Sequence, residues 1–371
     1  VQLFTHIYQL KLIPPTGINI INPSKVFTSR FLKCVFFILV HSFFYKELFD
    51  MARSRKLTLS SLIILLRTTL KSTNLFFELK DKFKVSNTEF TLYSYWMAET
   101  AVICVLLKKY SQWNIKKIVT RCHRFDVYEY ANKQNYLPYR KLILTNMDMI
   151  YPISDDAYHY LEKRYKSYVH GNMIIQRLGT EDKNVCLASK TNVLRLVSCS
   201  WLRPVKRVDL IIKALSSLDF PVEWTHYGDG EEMDKLRNLV RHMSKDNIKI
   251  EFAGRISNSE ILNAYHEKCF DVFINVSENE GVPVSIMEAM SVGMLIIATD
   301  VGGTREIVKN NVNGFLLPKD CSPRMIAEKI QAIYGLNSCE YTLARKKSRE
   351  LWQQLSSSKC NYQKMYNDLI K

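Results

Sequence analysis

Apolar positions along most of this chain fall in short runs separated by stretches of helical period. Residues 90–94, 117–120 and 148–154 read as strands, with helices over 96–110 and 155–165. A polar stretch at 181–190 reads as a linker. Beyond it the alternation resumes, with strands at 194–198, 223–227, 248–252 and 271–276 and helices at 208–218, 231–244 and 259–267. Strand–helix alternation at this spacing implies parallel sheets covered by helices on both faces. The expected fold is α/β, two Rossmann-like doubly wound domains, and ligands of such sheets gather at the carboxyl ends of the strands.

One run departs from the pattern. Residues 34–45 are nearly all apolar, too short to span a bilayer, and bracketed by Lys33 and Lys46. They read as a buried helix or, given Arg53, Arg55 and Lys56 nearby, as a helix lying in a membrane interface. Charge bears on the choice. Residues 1–180 carry 26 Lys and Arg against 12 Asp and Glu, a balance of +14 within a chain of net +16. Such asymmetry suits an anionic membrane surface or a lipid-diphosphate partner. Nucleic acid is not an expected partner, because no zinc-finger or RNP signature accompanies the charge. The nine cysteines are scattered without CxxC or metal-like spacing, which fits a reducing compartment better than a disulfide scaffold. The expected location is the cytoplasm, peripheral on the inner face of the membrane.

The densest chemical signal follows the strand at 271–276. Gly281 breaks the extended run, and Pro283 suits a helix start, where its missing N–H costs nothing. The backbone N–H groups of Gly281, Val282, Val284 and Ser285 then surround a helix N-terminus, a seat for a diphosphate. Glu280 sits just before that seat. Glu288, one turn beyond Val284 on the same face, is placed to accept hydrogen bonds from a ribose.

This segment resembles the E-x7-E signature of the retaining glycosyltransferases of GT-B fold, the group 1 or family 4 class. The resemblance continues in Val205-Lys206-Arg207-Val208-Asp209-Leu210, against the family's K-G-V-D-L, and in Tyr227-Gly228-Asp229-Gly230-Glu231, Phe252-Ala253-Gly254-Arg255, Gly302-Gly303-Thr304-Arg305-Glu306 and Asn313-Gly314. It covers residues 192 to 320. Upstream, Arg121-Cys122-His123-Arg124-Phe125-Asp126-Val127-Tyr128 resembles R-x-H-G-x-D-x-Y of bacterial capsule and exopolysaccharide glycosyltransferases.

The resemblance implies two domains facing across a cleft. Residues 1–183 would be the acceptor side and 184–345 the donor-binding side, with a helix at 346–371 crossing back to the first domain. The first domain is expected to lack the family's opening strand and Gly-rich loop, because the first 35 residues hold only Gly17. The implied activity is retaining transfer of a sugar from a nucleotide-diphosphate sugar to a glycan or polyprenyl-diphosphate-linked acceptor, in surface polysaccharide synthesis. His123 would approach the donor sugar, and Glu280 would orient its hydroxyls. Lys206 is the expected cation for the diphosphate, with Arg203 standing in for the arginine the family places where Trp201 stands. Arg255 and Ile256 would meet the base, while Arg121 and Asp126 line the acceptor side. No metal or cofactor is expected besides the donor: no D-x-D occurs, so cationic side chains and a helix terminus take the metal's role. Two alternatives remain: a non-catalytic partner subunit, motivated by Trp201 and Arg124, and a sugar-nucleotide epimerase.

Overall fold

The structure is a computed structural model that describes residues 2–4, 19–21, 30–83, 89–132, 134–184, 189–243 and 245–370. It divides into two compact units, residues 1–151 with 160–174, and residues 152–159 with 175–371. The last change of unit comes at 174/175.

In the first unit β1 (Gln2–Phe4) and β2 (Asn19–Ile21) pair in parallel. Gly17 lies outside the described residues. The main sheet of this unit has the order β3 (Phe90–Ser94), β4 (Ile115–Cys122), β5 (Met149–Pro152). Four helices accompany it: α1 (Phe31–Val40), α2 (Ser42–Arg53), α3 (Leu59–Lys82) and α4 (Glu99–Tyr110). The apolar run at 34–45 is not one helix, because the chain turns extended at His41 between α1 and α2. In α1 the buried-helix reading holds for Cys34, Phe37 and Ile38, while the opposite side stays in solvent. Among the described residues no helix is long and apolar enough to cross a membrane.

The helix expected from residue 96 begins at Glu99 instead. Met97 N–H donates to the Asp126 carboxylate at 2.7 Å, and Met97 carbonyl accepts from Arg140 at 2.9 Å. Tertiary partners thus take the backbone groups that an earlier helix start would use. Among the described residues seven cysteines are free, but Cys269 is disulfide-bonded, which the reading of scattered thiols did not foresee.

The second unit is built on six parallel strands: β6 (Leu194–Cys199), β7 (Val222–Tyr227), β8 (Ile248–Gly254), β9 (Val272–Asn275), β10 (Leu295–Thr299) and β11 (Gly314–Leu317). Their order is β11-β10-β9-β6-β7-β8. Successive side chains alternate between two cores, as the strand period requires. Leu194, Leu196, Val272, Ile274, Leu295 and Ile297 join one core with Val208, Ile211, Ile326 and Ile330. Val197, Phe273, Ile296 and Ala298 join the other with Tyr265, Ile286, Met290 and Trp352. Both faces are covered, which is why these strands read as continuous apolar runs rather than alternating ones.

The C-terminal helices Ser338–Leu355 and Ser358–Ile370 pack within this unit. Trp352 Nε1 donates to Thr180 Oγ1 at 2.8 Å, and Asn361 Nδ2 to the Leu178 carbonyl at 2.7 Å. Thr180 and Leu178 belong to the second unit.

From β6 the chain adds β7 and β8 on one side, then returns to place β9 on the other side of β6. Neighbouring connections leave that point in opposite directions, so a crevice opens between the carboxyl ends of β6 and β9, where open α/β sheets take their ligands.

Candidate functional site

That crevice is lined by Ser198, Cys199 and Ser200 from the end of β6, by Asn275, Val276 and Ser277 from the end of β9, and by Lys206. Lys206 closes the 3-10 turn Pro204–Lys206. Its Nζ donates to Glu280 Oε1 at 2.6 Å, and Asn275 Nδ2 donates to the same oxygen at 3.2 Å. Asn275 Oδ1 accepts from the N–H of Ser277 at 3.1 Å and from its hydroxyl at 2.6 Å, so the residue that ends β9 also fixes the turn after it. Glu278 N–H donates to the Val205 carbonyl at 2.9 Å, drawing the two loops together.

The next residue, Arg207, sits in the left-handed region with φ 49°. An L-residue there costs about 1–2 kcal/mol. The guanidinium offsets that strain by donating to two carbonyls, from Nε to Val276 at 2.8 Å and from Nη1 to Lys319 at 2.6 Å. Arg207 therefore staples the end of β9. The sequence reading passed over it, although an arginine at a position where the family carries glycine was a usable signal.

A second clamp comes from the loop after β10. Gly302 has φ 53°, and a Cβ on it would lie 2.1 Å from the Glu280 carbonyl oxygen. Gly303 N–H donates to the Gly281 carbonyl at 2.7 Å. Only a bare backbone lets this loop lie directly against the Glu280 loop.

Pro283 is the N-cap of the helix Val284–Ser291, so the helix starts one residue later than expected. The N–H groups of Val284 and Ser285 belong to its first turn, which has no intrahelical acceptor. Val282 and Pro283 are buried, and Val284 is exposed. Glu288 points inward, 7% exposed, and accepts from Asn258 Nδ2 at 2.7 Å. Burial pushes its carboxyl above the ordinary range, with the Asn258 bond opposing. Asn258 gave no sign in the sequence beyond its place at the start of a helix.

Arg203 belongs to the same turn as Lys206, its carbonyl accepting from the Lys206 N–H at 2.9 Å. Arg203 is exposed and lines a separate recess with Pro204, Arg207, Asp209 and Glu232. The Arg255 guanidinium lies 6.0 Å from the Trp201 ring centroid, a cation–π contact. Ile256 is half-buried against the core beneath.

In the first unit β4 ends at Cys122 and His123 follows. His123 is 7% exposed, and among the described residues neither ring nitrogen has a hydrogen-bond partner. The rings of Tyr95 and Trp96 lie 4.6 and 4.2 Å from its centroid. Burial, then the nearby Arg121, pushes its pKa down to about 3, so the imidazole is neutral at physiological pH. Asp126 is fully buried and accepts from the N–H groups of His123 at 2.5 Å and Met97 at 2.7 Å. Burial raises its carboxyl to about 7 against the opposing pull of Arg140 and those two bonds. Asp126 thus anchors the loop that presents His123. Arg121 is 1% exposed and lies inside the unit.

Residues 181–349 match the family model for glycosyl transferases group 1. An uncharacterized glycosyltransferase of Methanocaldococcus jannaschii is 32% identical over 169 residues, 45% of this chain and 46% of that protein. The putative colanic acid biosynthesis glycosyltransferase WcaL of Escherichia coli is 24% identical over 246 residues, 63% of this chain and 59% of that protein. The matched part spans about half the length of these curated relatives. The crystal structure of Anabaena HepE in complex with UDP superposes with a TM-score of 0.61 at 14% identity, covering 80% of this chain and 81% of that one. That likeness establishes a shared fold.

Proposed function

We propose that the protein is a retaining glycosyltransferase, a reading supported by the match of residues 181–349 to the family model for glycosyl transferases group 1 and by the fold shared with HepE. It would move a sugar from a nucleotide-diphosphate sugar to a glycan or polyprenyl-diphosphate-linked acceptor. The observation that carries this reading is the Lys206–Glu280 pair, 2.6 Å apart and steadied by Asn275, at the point where the strand order reverses.

As the glycosidic bond breaks, negative charge grows on the leaving diphosphate and positive charge on the anomeric carbon. The Lys206 ammonium and the first-turn N–H groups of Val284 and Ser285 are the proposed stabilisers of that diphosphate, fixed before the reaction begins. Glu280 orients the sugar hydroxyls and is not the nucleophile. A same-face displacement fits these roles, with the leaving phosphate taking the acceptor proton. No metal is assigned to the diphosphate. His123, held neutral by its burial, is proposed to act on the donor sugar.

The HepE complex makes UDP the first nucleotide to test, and the WcaL relationship favours a surface polysaccharide as product. A thermal-shift screen against UDP, GDP and their sugars should raise the melting temperature for one base, since ligand at a hundredfold its Kd stabilises the native state by about 2.7 kcal/mol. Consumption of the matching nucleotide sugar should collapse in Glu280→Ala and in Lys206→Ala. Full turnover in both variants would overturn the assignment.

A further inference from the structure

Helix α1 is apolar on both sides. Inward, Phe37 packs against Phe76, Phe77 and Tyr110 with ring centroids 5.1, 5.5 and 5.4 Å away. Outward, Leu32, Phe36, Leu39 and Val40 form one stripe at i, i+4, i+7 and i+8, and they are 80%, 70%, 62% and 61% exposed. A surface helix of a globular domain carries polar residues on that face. Helix α2 continues the surface, because the Tyr45 hydroxyl donates to the Leu39 carbonyl at 3.1 Å and Phe49, one turn further, is 67% exposed.

The charges are sorted as well. Lys33, Lys46 and Arg53 are exposed, and among the described residues no carboxylate pairs with them. The acids of the same helices are engaged elsewhere: Glu47 is buried and accepts from the Tyr136 hydroxyl at 2.8 Å, and Asp50 pairs with Lys141 at 2.7 Å. At the start of α1, Asp81 is held by Arg30 at 3.2 Å. Lys109, at the end of α4, has its pKa lowered by burial and then by the charge of Lys46, so these two cations are neighbours. An apolar ridge bordered by cations, with its acids neutralised, is the pattern of a helix that settles into a lipid interface.

We propose that the outer face of α1 and α2 docks on an anionic lipid bilayer. Leu32, Phe36, Leu39 and Val40 enter the boundary between headgroups and acyl chains, and Lys33, Lys46 and Arg53 meet the headgroup phosphates. A second copy of the chain is the poorer occupant, because the same face against itself would bring two cationic borders together. The proposal would place the enzyme beside a lipid-linked acceptor. It does not depend on the donor site, since vesicle binding needs neither donor nor acceptor.

The test is vesicle flotation of the full chain with phosphatidylcholine alone and with about one third phosphatidylglycerol added. Binding is expected on the anionic vesicles, weakened by salt, and nearly absent on the neutral ones. Phe36→Asp with Leu39→Asp should abolish it, and Lys33→Gln and Lys46→Gln should each weaken it about fivefold. The melting temperatures of these variants should match the parent, because the substituted side chains already stand in solvent. A large drop in melting temperature would show that the protein itself covers the face, and would overturn the proposal. So would equal binding to both vesicles, binding to neither, or a dimer in light scattering that Phe36→Asp dissociates. Nucleotide-sugar turnover without vesicles, read in the same variants, separates failure of the lipid face from failure of the donor site.

Discussion

Removing Lys206 probes the proposed phosphate seat from two directions. Its side chain is 25% exposed and that of Glu280 14%. Fully exposed pairs contribute about 0–1 kcal/mol, whereas breaking a fully buried pair costs about 3–5 kcal/mol. A pair of intermediate exposure, bonded at 2.6 Å and shared with Asn275, should therefore show a coupling of about 1–2 kcal/mol. Urea unfolding of the parent, Lys206→Ala, Glu280→Gln and the double variant measures it directly. Nucleotide binding gives the second reading. Lys206→Ala should weaken UDP by roughly tenfold to a hundredfold, the worth of one hydrogen bond to a charged group at about 1.5–3 kcal/mol. Glu280→Gln should act in the opposite sense on UDP, because the ammonium is released from its carboxylate, while turnover of the UDP-sugar falls. A coupling within about 0.3 kcal/mol of zero would refute the pair. Equal UDP affinity in Lys206→Ala and the parent would refute the seat.

Other variants separate strain from contact. Arg207→Ala keeps the left-handed backbone but loses both carbonyl bonds, and should cost about 2 kcal/mol or more in unfolding free energy. Arg207→Gly relieves the strain and should be about 1 kcal/mol more stable than the alanine variant; the reverse order would contradict the account. Gly302→Ala places a Cβ against the Glu280 carbonyl and should lower both melting temperature and UDP affinity, so an unchanged protein by both measures would show the loop contact to be unimportant. Stability against pH tests the first unit. The folded pKa of His123, about 3, lies below the ordinary value of about 6.5, so its contribution is full above ~6.5 and is lost as pH falls toward 3. Asp126, raised to about 7, behaves oppositely: its contribution is full below ~3.9 and is lost as pH rises through 7. The two slopes oppose between about pH 4 and 6.5. His123→Phe removes the first slope, so the stability of the parent relative to the variant, by urea unfolding, should rise between about pH 3 and 6.5, by at most about 1.36 kcal/mol per unit. A difference between parent and variant that does not change with pH would show that His123 is not held below its ordinary range.

Strand–helix alternation and the two cores of the second unit were legible because strands buried on both faces need unbroken apolar runs. Several helix ends were not. Glu99 starts α4 three residues late because Asp126 and Arg140 hold the Met97 backbone, and no local pattern announces partners so distant in the chain. The run at 34–45 reads from sequence as one helix, buried or interfacial, because apolar content alone does not say which side of a helix meets protein. In the site, Glu280 and Lys206 were found by their motifs, but Asn275, Asn258 and Arg207 were not. Their roles depend on which loop faces which, and strand order sets that.

By itself the sequence determined the class of fold, four of the six strands of the second sheet and the glutamates flanking a helix start, since these follow from periodicity and from residues adjacent in the chain. Only tertiary structure decided that Lys206 meets Glu280, that Glu288 turns inward to Asn258, and that the outer side of α1 is left in solvent. The reason is physical: a parallel sheet joins segments through long crossovers, so its contacts form between residues far apart in sequence, and burial is a property of the neighbours as much as of the residue.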